Sequence, residues 1–453
     1  MAYKLLEGIR ILDLTLVYAG PMGTRLLADM GAEIIKIEAP QRPDMFTRMM
    51  SYPENNPTQE KVWDQGGYFH ILNAGKKGVS LDLANEKGRE IFKKLVAVSD
   101  AVMENFSPRV MEGWGLGYEE LKKIKPDIIM VSMSGLGHYG PMRDTIMYMT
   151  GMENMSGLTY ITGLPERPPL FSNYAYGDWM LGATGAFALL LALYNKKKTG
   201  KGQYIDVAGR EAISCHIGEV IMDYTLNGRV KERNGNKDAS MAPHGCYKCK
   251  GVDEWVNIAI QNEDEWNRFC EIMGNPSWTK KFSTVEERLK NQDELDRLID
   301  EWTSQYDHHE VMERLQKASI PAGSVLSLKE VYLNPQFIAR GIFEMIDHGE
   351  NIGKRPVIKQ MPARFSGMKS FTPKRAPRFA EDNEHVFCSL LGMSKEEVKT
   401  LEEQKVLGRT PKFPPGRPLR KDLIESQAGK GAGYFDPDYL AELRKVFGED
   451  VGK

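Results

Sequence analysis

A chain of 453 residues is too long for one simple hydrophobic core and predicts two domains. Its 41% hydrophobic and 27% charged residues, with a formal net charge of −2, are ordinary for a globular protein and give no basic face for a nucleic-acid backbone. Five cysteines, Cys215, Cys246, Cys249, Cys270 and Cys388, are too few for a disulfide framework at this length.

The opening MAYKLLEGIRILDL lacks the unbroken apolar core and small-residue cleavage site of a secretory signal, so a cytoplasmic protein is expected. The apolar run Ile9 to Leu14 predicts a strand, VYAGPMG a Gly/Pro turn, Thr24 to Met30 a helix and GAEIIKIE a second strand. The pattern repeats through GVSLDL, a helix over Glu86–Val98, DAVMENF, a short helix near Tyr118–Lys123, and DIIMVSMSG. Short apolar strands alternating with helices predict an open α/β fold with a parallel sheet covered on both faces. Met180 to Tyr194 is the most apolar stretch; it falls short of the roughly 20 residues that span a bilayer and predicts a buried helix.

A basic turn, NKKKTGKGQ, follows, and YIDVAGREAI predicts strand into helix. GRVKERNGNKDASMAPHG reads as a polar loop, CYKCKGVDEWVNIAI as a hairpin, and the text to about Pro321 as amphipathic helices of a smaller domain. From Val331 the chain returns to strand and loop, with a helix at Lys395–Glu403, a proline-rich linker KFPPGRPLRK and a last short helix in PDYLAELRKVFG.

Several motifs invite chemistry. AGPMGTRLLADMGAE lacks the full Gly-x-Gly-x-x-Gly spacing, which argues against a dinucleotide-binding dehydrogenase, although amides at such a turn can hold a phosphate or a carboxylate. Cys246 and Cys249 have the spacing of half a zinc or redox site, but no second half follows, and no metal site is expected. The doublet His308-His309 lies in charged helical text and is expected at the surface. Asp178 stands where a turn meets the long apolar helix. Spacing alone favours an N-cap; the position also suits a carboxylate nucleophile favoured by the positive end of the helix, with Gly177, Gly182 and Ala183 leaving room for an acyl group.

From about Leu5 to about Leu407 the chain resembles the class III CoA-transferases (CaiB/BaiF type), the family of formyl-CoA:oxalate and carnitine CoA-transferases. LEGIRILDLTLVYAGPMGTRLLADMGAEIIKIE is similar to the family's opening, and NAGKKGVSLDL, MENFSPRVMEGWGLGYEEL and KPDIIMVSMSGLGHYGP follow in family order. YGDWMLGATGAFALLLALYNKKKTGKGQYIDVA resembles the segment with the catalytic aspartate, and MAPHGCYKCKGVDEWVNIAI, IPAGSVLSLKEVYLNPQFIARG and APRFAEDNEHVFCSLLGMSKEEV also fit. The resemblance implies a large Rossmann-like domain from both chain ends (1–220 and 331–407), a small α+β domain (221–330) between them and, outside the resemblance, a C-terminal extension (408–453). It implies an interlocked homodimer, with a heteromer containing a paralogous subunit as the alternative.

It further implies Asp178 as nucleophile and Val17, Asn73, Lys76, Asn105, Phe106 and Tyr148 as CoA-contacting positions. Lys76 would meet a CoA phosphate, and Phe106 and Tyr148 would pack on the adenine or pantetheine. Gly113 stands where some members carry an arginine for CoA, and Arg109, one helical turn earlier, is the substitute. Tyr18 replaces a glutamine that some members use near the acyl carbonyl, and NGNKDASMAPHG replaces the glycine run of the oxalate enzyme, so oxalate is not the expected substrate. The implied reaction moves CoA from an acyl-CoA donor to a free carboxylic acid through an aspartyl-CoA thioester. CoA is then a substrate, and no cofactor is tightly bound. Met147-Tyr148-Met149 stands where related racemases carry Gly-His-Asp, which lowers the racemase alternative; a non-catalytic subunit of a two-gene transferase is a further alternative. Met152, Met155, Tyr148, Tyr160 and Tyr176 suggest a roomy, partly apolar acceptor pocket, for which an aryl- or alkyl-substituted succinate is the guess.

Overall fold

The computed structural model describes residues 4–49, 61–172, 174–349, 351–367, 374–412 and 436–453; most of KFPPGRPLRK lies outside them. Contacts divide the chain into two compact units: Met1–Leu158, Phe171–Leu226 and Pro335–Lys453 form the first, Thr159–Leu170 and Asn227–Asn334 the second.

The first unit is built on six strands: β1 (Arg10–Asp13), β2 (Glu33–Glu38), β3 (Lys77–Ser80), β4 (Ala101–Glu104), β5 (Ile129–Ser134) and β6 (Tyr204–Ala208). They lie in the order β3-β2-β1-β4-β5-β6, all parallel. The apolar runs read as strands because both faces are buried: Ile11, Ile34, Ala101 and Ile129 enter one core layer, their neighbours Leu12, Ile35, Val102 and Met130 the other. On the first face lie α1 (Ala19–Asp29) and, later in the chain, the long helix of Asp178. The chain passes α2 (Gly67–Asn73) and then α3 (Glu86–Ala97), which covers the second face together with Val386, Phe387, Val398 and Leu401 from the far end of the chain. The sheet core is thus made by both ends.

After α4 (Tyr118–Ile124) and α5 (Met149–Ser156) comes α6 (Tyr176–Thr199), then α7 (Gly209–Ser214) beyond β6. Helix α1 starts five residues earlier than the sequence suggests and absorbs the expected turn. Pro21 falls in its first turn, where a missing N–H and a fixed φ are tolerated. Helix α6 has 24 residues and is, by length and composition, apolar enough to cross a bilayer. It lies instead along α1 and β5–β6, burying Leu181, Ala186, Leu189 and Ala192, while Phe187, Leu191 and Tyr194 stay exposed. Only one side of the run expected to be buried is covered.

Glycine sets how close α1 and α6 come. A Cβ at Gly182 would stand 2.2 Å from the Ala19 carbonyl oxygen, and one at Gly23 would stand 2.6 Å from that of Gly182. The small residues of α6 therefore admit helix backbone, and a Cβ at Gly177 would meet Ile213 at 2.8 Å. The expectation that Gly177 and Gly182 open space for an acyl group is corrected.

In the second unit, β7 (His244–Lys248), β8 (Trp255–Ala259) and β9 (Ala322–Ser324) form an antiparallel sheet. It packs with α8 (Glu263–Ile272), α9 (Gln292–Thr303) and α10 (His308–Lys317) around Trp266, Phe269, Leu295, Ile299 and Leu315. His308 is buried and His309 half-buried, so the doublet does not lie wholly at the surface: Asp307 caps α10, and Ser324 Oγ donates to the His308 carbonyl, holding the first residue inward.

Candidate active site

The chain lays β1, β2 and β3 on one side and then crosses to β4 on the other. In parallel sheets ligands collect at such a reversal, outside the carboxyl ends of the strands. Three turns meet there. Asn105, after β4, clamps the turn after β1: its Oδ1 accepts from Leu16 N and its Nδ2 donates to Leu16 O, both at 2.8 Å. The clamp, with Val17 N donating to Asp44 Oδ2 at 3.1 Å, holds Val17 at φ 67°, a strained conformation for a β-branched residue. The third turn, Ser134-Gly135-Leu136, follows β5.

Beneath these turns lies a buried polar network. Asp13 Oδ2 accepts from Lys76 Nζ at 2.9 Å and from Thr24 Oγ1 at 2.7 Å, and Asp13 Oδ1 from Thr15 N at 2.9 Å. Burial works to raise the pKa of Asp13, but Lys76, Lys36 and the hydrogen bonds outweigh it and hold the carboxyl at about 2. Lys76 Nζ also reaches Pro21 O at 3.0 Å and Asn73 Oδ1 at 2.8 Å.

Above the network opens a cavity of about 730 Å³, within the usual size for a small-molecule site. Asp178, Val17, Asn105, Phe106 and Tyr148, separated by up to 161 positions, all line it. Phe106 is braced edge-on by Trp114 at 5.6 Å. Three of the proposed CoA positions do not line it. Asn73 is fully buried and bonded to Phe69 O, Lys76 has no exposed side-chain surface, and Arg109 pairs with Asp144 at 2.7 Å on the exterior. Of the suggested pocket side chains Met152 and Tyr148 line the cavity; Met155, Tyr160 and Tyr176 do not.

Apart from Tyr18 and Met152, the rest of the lining was not legible. Met133, Met147, Met149 and Met152 form a thioether wall, with Tyr18, Tyr68 and Tyr174 nearby. Arg143 and Asp178 are the charged lining residues, and Arg143 Nε is buried with no hydrogen-bond partner among the described residues.

Asp178 is the third residue of α6 and does not cap it: no side chain of the preceding residue makes a cap hydrogen bond, and Ala175 occupies the cap position at φ 21°. Glu153 of α5, fully buried, takes that role, accepting from Gly177 N at 3.3 Å and from Ser172 N at 2.8 Å. Nothing in MTGMENMS marks this glutamate as more than a solvated helix residue. Burial, and then the charge of Glu153, push the Asp178 carboxyl up to about 7. Asp178 forms no salt bridge or hydrogen bond among the described residues, so its oxygens are free toward the cavity.

In the second unit, His308, His309 and Glu330 place three donor atoms within reach of one ion, as do Glu254, Asp307 and His308. In the first group Glu330 Oε1 lies 2.9 and 3.1 Å from the two imidazole Nε2 atoms and Oε2 accepts from Ser327 N, so hydrogen bonding accounts for the geometry. All five cysteines are free, and Cys249 is buried.

The family model for CoA-transferase family III matches residues 6–383. The chain belongs to that family. It is an enzyme, a CoA-transferase, and a CoA thioester is its substrate. The transferase is 31% identical over 404 residues to the succinyl-CoA–D-citramalate CoA-transferase of Chloroflexus aurantiacus, covering 89% of this chain and 98% of the relative. It is 30% identical to the succinate–glutarate CoA-transferase of Agrobacterium fabrum, over 85% and 95% of the two chains. The crystal structure of a CaiB/BaiF family protein from Brucella suis superposes with a TM-score of 0.77 at 30% identity, covering 86% of this chain and all of that one.

Proposed function

We propose that the transferase moves CoA between small dicarboxylic acids, with Asp178 as covalent nucleophile. The observation that carries this reading is an unpaired carboxylate with a raised pKa at a helix start, opening on a largely apolar cavity. An Asp178 oxygen attacks the donor thioester carbonyl; the C–S bond breaks and the electron pair leaves as CoA thiolate. The thiolate then attacks the Asp178 carbonyl, releasing the donor acid and leaving an aspartyl-CoA thioester. The acceptor carboxylate displaces the thiolate, forming a second anhydride. Attack of the thiolate on the acceptor's acyl carbon releases the new thioester and regenerates Asp178. Each step exchanges acyl groups of comparable activation, so the thioester energy is conserved. An apolar wall suits this chemistry, because water would hydrolyse the anhydrides.

Arg143, the cation of the lining, supports the dicarboxylic class: its Nε makes no hydrogen bond among the described residues and lies 3.8 Å from Asp144 Oδ1, a loose pairing that a second carboxylate can replace. The relatives act, by their names, on succinate, citramalate and glutarate, and the thioether wall suits an alkyl-substituted succinate. The exposed apolar side of α6, Phe187, Leu191 and Tyr194, supports a dimer. A second copy is the simplest partner; a paralogous one is the alternative, since relatives at 32% and 29% identity are named alpha and beta subunits of one succinyl-CoA–L-malate CoA-transferase. Free cysteines fit a cytoplasmic enzyme.

Asp178→Asn tests the mechanism. The variant keeps the shape and loses the nucleophile, so turnover should vanish. Its melting temperature should not fall, because no hydrogen bond of Asp178 is broken. Wild type treated with a CoA-thioester donor and then hydroxylamine should carry a hydroxamate at Asp178 by peptide mass. Near wild-type turnover in Asp178→Asn would end the covalent reading.

A further inference from the structure

We propose that Glu153 is a positioning residue of the transfer reaction: it caps the helix that carries Asp178 and, as a fixed buried anion beside it, favours the acylated over the free Asp178. The inference rests on Asp178 being the nucleophile.

Glu153 has no exposed surface, and each of its oxygens is assigned. Oε2 accepts from Ser172 N at 2.8 Å, and Oε1 from Ser172 Oγ at 2.6 Å and Gly177 N at 3.3 Å. Backbone N–H groups only donate, and one reaches each oxygen, so the donors match the ionised form on both sides. These bonds pin the turn that places Tyr174 and Ala175 in the cavity wall, and they fix a negative charge next to the residue preceding Asp178. Neither carboxylate has a salt-bridge partner among the described residues.

The other charged groups of the cavity lining and of the elements packed against α6 are engaged elsewhere: Arg143 lies 3.8 Å from Asp144 through Nε and donates from Nη1 to the His138 carbonyl at 3.4 Å. Arg25 and Asp29 of α1 pair with each other at 2.7 Å, Arg210 and Glu211 of α7 lie 3.8 Å apart, and Asp206 of β6 accepts from His138 N. Tyr18 and Tyr68 are phenols on the cavity side. Glu153 is therefore the charge Asp178 meets at close range, and like charges in a desolvated site repel strongly. When Asp178 attacks the thioester, an Asp178 oxygen–acyl carbon bond forms, the C–S bond breaks and the negative charge departs on sulfur. The repulsion disappears with it. The free enzyme is raised and the covalent enzyme is not, the differential that drives acylation.

Glu153→Gln in the full-length enzyme keeps an acceptor oxygen and removes the charge. The acid limb of the kcat/KM profile should move to lower pH by about one unit, and the hydroxylamine-trapped fraction at fixed donor should fall by about tenfold. Ser172→Ala leaves the charge and removes a donor from it, so the limb should move the other way. Unmoved limbs in both variants, with activity lost equally at every pH, would reduce Glu153 to a structural cap and overturn the proposal. If Glu153→Gln fails to fold, the direction of the Ser172→Ala shift decides alone. Failure of the underlying reading looks different: no adduct at Asp178 and an active Asp178→Asn.

Discussion

Replacing Gly182 by alanine adds one methyl group at the crossing of α1 and α6. The new Cβ would lie 2.2 Å from the Ala19 carbonyl oxygen, where ordinary contact begins at 3.4 Å, so the helices must part by about 1.2 Å. The obstacle is backbone, so no side chain can swing away. Overpacking of this kind costs about 1–3 kcal/mol, against a gain of about 1 kcal/mol from replacing glycine within a helix. The functional effect should be larger than the net loss of stability. Asp178 leaves α6 one turn before Gly182, and the turn of Val17 and Tyr18 runs directly into α1, so parting the helices widens the site between them. A misplacement of about 1 Å at a reacting group is worth on the order of a hundredfold in rate. Gly182→Ala should therefore fold, melt slightly below wild type and lose about two orders of magnitude in kcat/KM. Gly185→Ala is the control: its Cβ meets the Met133 thioether at 2.4 Å, a flexible group that can move aside. Circular dichroism melts and steady-state assays on both variants decide. Wild-type kcat/KM in Gly182→Ala would refute the view that this close approach sets the site.

Lys76→Met should destabilise the first unit by about 3 kcal/mol, the cost of stranding a buried carboxylate, as read from urea unfolding. The folded fraction should keep the wild-type KM for the acyl-CoA donor, because the ammonium is enclosed by Asp13, Asn73 and Pro21; a raised KM would restore Lys76 as a CoA contact. Burial works to raise the pKa of Glu38, but Arg48 and Lys36 prevail and hold it at about 2, below its ordinary 4.5. Its contribution to stability is complete above about 4.5 and is lost as pH falls toward 2; melts from pH 6 to pH 2 should show that slope, flattened in Glu38→Gln.

The sheet was legible because burial on both faces leaves a strand little choice of residue: ILD, EIIKIE and IMVSMS declare themselves by composition alone. The beginning of α1 was not, since glycine and proline read as a turn until α6 supplies a backbone that only glycine can approach. Gly182 was misread for the same reason. Of the site, Asp178, Val17, Asn105, Phe106 and Tyr148 could be named from motifs and do share a cavity. Lys76 and Asn73 sit in a segment just as recognisable, yet their side chains turn down into the Asp13 network; no local pattern says which way a lysine points. Glu153 and Arg143 escaped notice because what distinguishes them is an environment assembled from distant parts of the chain.

The methionine wall has a consequence for how such an enzyme can diversify. Met133, Met147, Met149 and Met152 touch the cavity with unbranched, polarizable chains that refit around different shapes at little energetic cost. The crossing of α1 and α6, by contrast, leaves no room even for a methyl group at Gly182 or Gly23. A new preference among acids would then be reached by trading one thioether for another side chain, with the proposed nucleophile and its scaffold left untouched. Substrate choice and the proposed chemistry would then rest on different side chains of one cavity.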